Sequence, residues 1–220
     1  MKPVLGARYP LPLSAYTELL ARVSVTRSLW YSWRLRGRVL AGRGSRIRIH
    51  RTARVEGPPG WMLVIGMAHD STPGAVLRMR PRSRLTLGGR VQFMRGTTVH
   101  LGYDAHLSVG AGTFVNDGAT VHCDHRVEIG ADCAISWGVR ILDSDVHALL
   151  KDGVEQPRHA PVVIGDHCWL GTGATVLKGA ELGDHCVAGA SAVVTGRFGP
   201  GTLVHGVPAR AVSKDVSWKH

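Results

Sequence analysis

The chain has no run of about eighteen uncharged apolar residues, the length a membrane-spanning helix needs, and its N-terminus shows no apolar stretch of the signal-peptide kind. Cytoplasmic residence, at most on the inner face of the membrane, is the expectation. Cysteine is scarce, with only Cys123, Cys133, Cys168 and Cys186. Neither a CxxC pair nor zinc-finger spacing occurs among them, so a redox motif or a structural zinc site is not indicated. Acidic residues are missing altogether between Glu18 and Glu56, whereas Arg22, Arg27, Arg34, Arg36, Arg38, Arg43, Arg46, Arg48, Arg51 and Arg54 accumulate there. That stretch supplies much of the formal charge of +11. Its core, RSLWYSWRLRGRVL, mixes Trp30, Tyr31, Trp33 and leucines with arginine. This composition suits a helix packed on a domain end, or one lying on an anionic membrane. No nucleic-acid motif accompanies the charge, so a nucleic-acid partner is not expected.

What is present is a repeat. GDHC occurs at 165–168 and again at 183–186, and Ile164, Leu170, Val176, Leu182, Ala188 and Val194 recur every six residues. Glycine follows the apolar residue at Gly165, Gly171, Gly183 and Gly189, and the fifth position is small at Cys168, Ala174, Ala180, Cys186 and Ala192. A period of six is neither helical nor a plain alternation. One short strand and one corner per hexad would close a triangular coil every eighteen residues, with identical residues stacked between coils. The column extends upstream through Leu87, Phe93 and Val99, then Val109, Val115 and Val121, then Ile129, Ile135 and Ile141. Cys133, Cys168 and Cys186 take the small inward position, where a thiol acts as a small hydrophobe.

This pattern resembles the hexapeptide-repeat acyltransferases. The resemblance implies an all-β fold, a left-handed parallel β-helix, here with an N-terminal helical, arginine-rich extension. The expected organisation is a helical basic segment over 1–46, the β-helix over 47–205, and a capping tail over 206–220. Residues 12–41 read as one or two helices, with the first coil near Ile47. VEGPPGWMLVIGMAHDSTPGAV, with its three prolines, reads as an irregular loop between strands.

The regular repeat is broken once, between Ile141 and Ile164, by a segment containing LDSDVH. In the sugar-modifying branch of the family, similar to the maltose and galactoside acetyltransferases, that break carries a histidine acting as general base, and the match here is His147. Imidazole, with a pKa near 6.5, suits removal of a hydroxyl proton at neutral pH. His100, His106, His122, His125 and His159 are rivals. Asp143 and Asp145 flank His147, and either could orient it. The resemblance further assigns Asn116 to the acceptor or the histidine, with Asp124, Trp137 and Asp145 as additional acceptor-side candidates. It assigns Trp169, Thr172, Ala190, Thr195 and Arg210 to coenzyme A, with the Thr172 amide as oxyanion donor. Gly196 and Ser213 depart from the basic residues common at those positions.

The expected activity is O-acyl transfer, acetyl first, from acetyl-coenzyme A to a hydroxyl of a saccharide, polysaccharide precursor or glycolipid. The expected assembly is a homotrimer without metal. N-acetyl transfer to an amino sugar is the near alternative, and a non-enzymatic scaffold for anionic lipid or nucleic acid the distant one. A zinc carbonic anhydrase of the same fold would need three histidines, and only His100 and His122 lie in adjacent coils with suitable spacing.

Overall fold

The computed structural model describes residues 22–67 and 74–219. Three sheets run the length of a prism, of nine, seven and seven strands. The first face takes its strands from Arg38–Ala41, Met62–Ile65, Arg90–Phe93, Phe114–Val115, Ala134–Ile135, Trp169–Leu170 and Val187–Ala188, and ends on Leu203–Gly206 and Ala209–Ser213. The second runs through Arg46–Ile49, Val76–Met79, Thr98–Leu101, Thr120–Cys123, Arg140–Leu142, Thr175–Val176 and Val193–Val194. The third comprises Arg54–Glu56, Arg84–Leu87, His106–Val109, Arg126–Ile129, Val162–Ile164, Glu181–Leu182 and Arg197–Phe198. Every pairing along the faces is parallel except the last one on the first face, which is antiparallel. This is the parallel coil expected from the hexads, in the left-handed form that the resemblance implies.

The inferred columns are the observed registers. Phe93, Val115, Ile135, Leu170 and Ala188 are successive partners on the first face. Val99, Val121, Ile141, Val176 and Val194 are successive partners on the second. These side chains are all fully buried, so the core is a set of apolar ladders inside the prism. The repeated GDHC also has a physical cause. Asp166 Oδ1 accepts the Ala131 amide at 2.7 Å, and Asp184 Oδ1 accepts the Asp166 amide at 2.8 Å, so each aspartate ties its coil to the one before. The preceding glycine is needed for clearance, since a Cβ on Gly165 would lie 2.6 Å from the Asp184 nitrogen.

Cys133, Cys168 and Cys186 are buried in the expected column, and each thiol donates to a glycine carbonyl of the next coil at 3.1 Å, those of Gly165, Gly183 and Gly199. Hydrogen bonding with Cys133 and burial hold the Cys168 thiol well above its ordinary pKa, and burial does the same for Cys123 and Cys186.

Two expectations at the N-terminal end differ from the structure. The helix spans Val25–Leu35, and Arg38–Ala41, read as helical, is instead a strand that pairs with Met62–Ile65. The first coil therefore begins before Ile47. Arg36 stops the helix in a left-handed conformation, φ 54°, and Gly37 turns the chain under Trp61, whose ring would meet a Cβ at 2.1 Å. The helix is fastened to the coil beneath by Ser28, whose hydroxyl accepts the Ala41 amide, and by Tyr31, whose hydroxyl donates to the Ile47 carbonyl at 2.8 Å. The loop read over 55–76 holds the strand Met62–Ile65, while its residues 68–73, like residues 1–21 of the basic segment, lie outside the described residues. At the other end the tail folds back as Ala209–Ser213 and reaches Trp218.

Candidate functional site

The break in the repeat leaves the second face after Arg140–Leu142 and rejoins the third at Val162. It contains a small antiparallel hairpin, Leu150–Lys151 with Val154–Glu155. Three contacts hold its base. Lys178 of the next coil pairs with Asp145 and donates to the Pro157 carbonyl at 2.7 Å. Arg158 O accepts the Asp145 amide at 3.0 Å.

Asp143 and Asp145 act on this base rather than on the histidine they flank. Asp143 is fully buried and accepts the amides of Asp124, His125 and Arg126 at 2.8, 2.7 and 2.6 Å. Between Asp145 and His147 the chain passes through Val146 at φ 65°. A β-branched residue in the left-handed region is strained by about 1–3 kcal/mol, and such strain gathers at functional sites. His147 stands exposed beyond it, its amide donating to the Asp145 carbonyl at 2.7 Å.

A separate pocket of about 280 Å³ opens on the first face and its corner with the second. Asn116, Trp137, Trp169 and Thr172 line it together, so four of the residues assigned by resemblance share one wall. Phe114, Ala134, Ser136, Trp218 and Lys219 complete it and were missed from sequence. Trp169 Nε1 donates to Ser136 Oγ at 3.0 Å, which fixes that ring. Trp218 stacks on His167 at 4.6 Å with 12° between planes, and its Nε1 donates to the His167 carbonyl at 2.7 Å. Ser136 follows Ile135 at the position held by Gly171 and Gly189 in the next coils, a change that carries no functional signal by itself, and Trp218 lies outside the period. Among the described residues no hydrogen bond takes the Thr172 N–H, which leaves it available at an exposed corner.

His147, Asp124, Asp145, Ala190, Thr195 and Arg210 are not part of this pocket lining. Ala190 follows Val187–Ala188, the strand paired with Trp169–Leu170, and the Ser191 amide beside it donates to the Thr172 carbonyl at 2.9 Å. Arg210 lies on the last strand of the same face, exposed and opposite His205. Thr195 is exposed at the end of Val193–Val194 on the second face. The coenzyme candidates thus run across the last coils of the prism, while His147 occupies the opposite corner of the second face from the pocket.

Asp124 pairs with His122 at 3.2 Å, and the His122 and His100 rings meet edge to face at 4.7 Å. The ligand atoms of these three lie within 4.8 Å of one another, close enough to surround a cation. Their third member is a carboxylate rather than a third histidine. Arg78 and Arg80 raise the positive potential at His100, which opposes a divalent cation there. Burial, then the neighbouring His122, keeps the His100 pKa below its ordinary value. Of the other rivals, His106 bonds to Thr86 Oγ1 at 3.0 Å and is likewise lowered, by burial first and Arg84 second. His125 and His159 lie 6.4 Å apart at the base of the excursion.

Residues 161–196 match the family described as bacterial transferase hexapeptide, six repeats. Polysialic acid O-acetyltransferase of Neisseria meningitidis is 33% identical over 87 residues, 38% of this chain and 40% of that protein. Nodulation protein L of Rhizobium meliloti strain 1021 is 39% identical over 116 residues, 50% of this chain and 61% of that protein. The chain spans about half the length of the curated relatives it matches. A solved polysialic acid O-acetyltransferase superposes with a TM-score of 0.50 at 22% identity, over 84% of this chain and 90% of that one, and shows the same fold. The resemblance to the hexapeptide-repeat acyltransferases therefore holds in sequence and in architecture.

Proposed function

We propose that this chain is an acyl-coenzyme A-dependent O-acyltransferase that acetylates a hydroxyl of a saccharide, polysaccharide precursor or glycolipid. The observation that carries the reading is the excursion at residues 143–161, which presents His147 beyond the strained Val146 on an otherwise regular hexapeptide prism. The named relatives give its direction, since one of them is an O-acetyltransferase acting on polysialic acid.

In this mechanism His147 takes the proton of the acceptor hydroxyl as its oxygen attacks the thioester carbonyl. The Thr172 amide donates to the tetrahedral oxyanion. The carbon–sulfur bond then breaks, and the imidazolium returns its proton to the leaving coenzyme A thiolate. No covalent enzyme intermediate and no metal enter the balance. Asn116 and Trp137 orient the acceptor. Trp169 and Ala190 flank the pantetheine arm, and Arg210 pairs with a coenzyme phosphate. Thr195 borders the same run of coils.

One chain separates His147 from the Thr172 pocket by a prism face, which supports assembly of the site between subunits of a homotrimer. The excursion also carries apolar surface, with Leu149, Leu150 and Val154 each more than half exposed. The helix Val25–Leu35 exposes Leu29 at 67% and Trp33 at 79% among arginines, and no helix of the described residues is long and apolar enough to cross a membrane. Surface docking on the anionic inner leaflet, where a glycolipid acceptor would lie, fits this helix.

Titration of the protein with acetyl-coenzyme A, followed by an acceptor screen, tests the reading. Binding in the micromolar to millimolar range with acetyl transfer to a sugar hydroxyl is expected. Absence of coenzyme binding would overturn it.

A further inference from the structure

On the third face Arg54, Arg84, His106 and Arg126 are successive register partners, but there most of the outward arginines meet an acid. Arg84 pairs with Glu56 at 3.1 Å, Arg197 with Glu181 at 3.1 Å, and Arg126 with Glu128. On the second face they do not. Arg48 is the direct register partner of Arg78, Arg78 of His100, and His100 of His122. The inward neighbours Ile47, Leu77, Val99 and Val121 are buried, which fixes these four side chains on the outer surface. Arg48 and Arg78 are exposed, and among the described residues no acid pairs with either. Like charges directly opposite across a sheet are destabilising, so a solvated face would be expected to interleave acids here as the third face does.

The lower rungs border a pocket of about 430 Å³ lined by Arg48, His50, Arg78, Arg80 and Tyr103. The Arg80 guanidinium lies over the Tyr103 ring, 5.6 Å from its centroid. Asp124, paired with His122, closes the line at its upper end and confines the excess charge below it. The next register partner of His122 is Leu142, one residue before the excursion that carries His147.

We infer that this line of side chains is the acceptor track for a polyanionic saccharide, a glycan bearing a carboxylate or phosphate on successive units. Its charged units lie on Arg48, Arg78 and the pocket beside them, and a hydroxyl further along the chain reaches His147. The inference rests on the acyltransferase reading and names the class of acceptor. Rungs about 4.8 Å apart are of the size of one pyranose unit in an extended chain. Among the described residues Tyr103 is the one phenol or indole ring lining this pocket, while single-stranded nucleic acid calls for successive large aromatic platforms.

The test uses full-length protein and size-graded, fluorescently labelled polygalacturonate oligomers, with labelled dextran oligomers as neutral controls. Binding is expected to tighten with oligomer length and to weaken with salt. It should fall about tenfold in the double variant Arg48→Gln/Arg78→Gln, equivalent to about 1.4 kcal/mol. Coenzyme A binding should not change, and the variant's thermal midpoint should rise because the repulsion is relieved. Equal binding of dextran, unchanged binding in the variant, or tighter binding of a single-stranded oligonucleotide of equal charge would each overturn the inference. Track-dependent binding without any acyl transfer would count against the acyltransferase reading and leave the track standing. Transfer to neutral sugars with no length dependence, and no polygalacturonate binding, would do the reverse.

Discussion

The Asp143 carboxylate accepts the His125 amide at 2.7 Å, joining the first residues of the excursion to the corner of the coil below. The amides of Asp124 and Arg126 converge on the same buried carboxylate. Removing it leaves three part-buried donors without their acceptor, and an unsatisfied buried donor costs about 1–3 kcal/mol. Asp143→Ala should therefore lose about 3 kcal/mol or more in urea unfolding, while Asp143→Asn, which keeps one acceptor, should lose less. Equal stability of Asp143→Ala and the parent would show that the corner does not depend on this group.

His147 touches the reacting atoms in the proposed mechanism, and its exposed position leaves the fold independent of it. His147→Ala should lower kcat by about 10²–10⁴-fold, the usual contribution of a general base, and leave the thermal midpoint and the coenzyme dissociation constant near the parent values. Retention of full activity would transfer the role to another histidine. His125 or His159, at the base of the same excursion, would be examined next.

Much of this architecture is legible in the sequence because its cause is local and repeated. An apolar residue, a glycine whose Cβ would strike the next coil and a small inward residue recur together, and Ile164 through Val194 show the period without interruption. The first coils are hidden for the converse reason. Val39 pairs with Leu63 and Ile47 with Leu77, intervals lengthened by loops, and arginine occupies the outward positions where a helix would also place it. The candidate site is only half legible. Asn116, Trp137, Trp169 and Thr172 fall on repeat corners and meet in one pocket, but Trp218 reaches it from outside the period. Nothing local in LDSDVH distinguishes Asp143, which is turned inward, from Asp145, which is turned to Lys178.

The thiol ladder provides a check on the packing itself. Cys123, Cys133, Cys168 and Cys186 are free and buried, and burial raises the pKa of Cys123 and Cys186 above the ordinary thiol range. Native protein should react negligibly with a thiol-specific chromogenic reagent at neutral pH, and full reactivity should appear only with unfolding. Rapid modification of any cysteine in the native state would show that its coil opens locally.

Two half-buried histidines predict acid sensitivity. His100 and His106 both have pKa values held below the ordinary value, by burial first and then by His122 and Arg84 respectively. Between that lowered value and the unfolded value near 6.5, the unfolded chain binds more protons than the native one, so stability rises with pH through the window. The stabilisation is complete above about pH 6.5 and is lost as the pH falls. The thermal midpoint should drop on acidification from about pH 7 to about pH 5, and the drop should flatten in His100→Gln/His106→Gln. An unchanged slope in that double variant would place the sensitivity elsewhere, with His122 and its partner Asp124 the next pair to substitute.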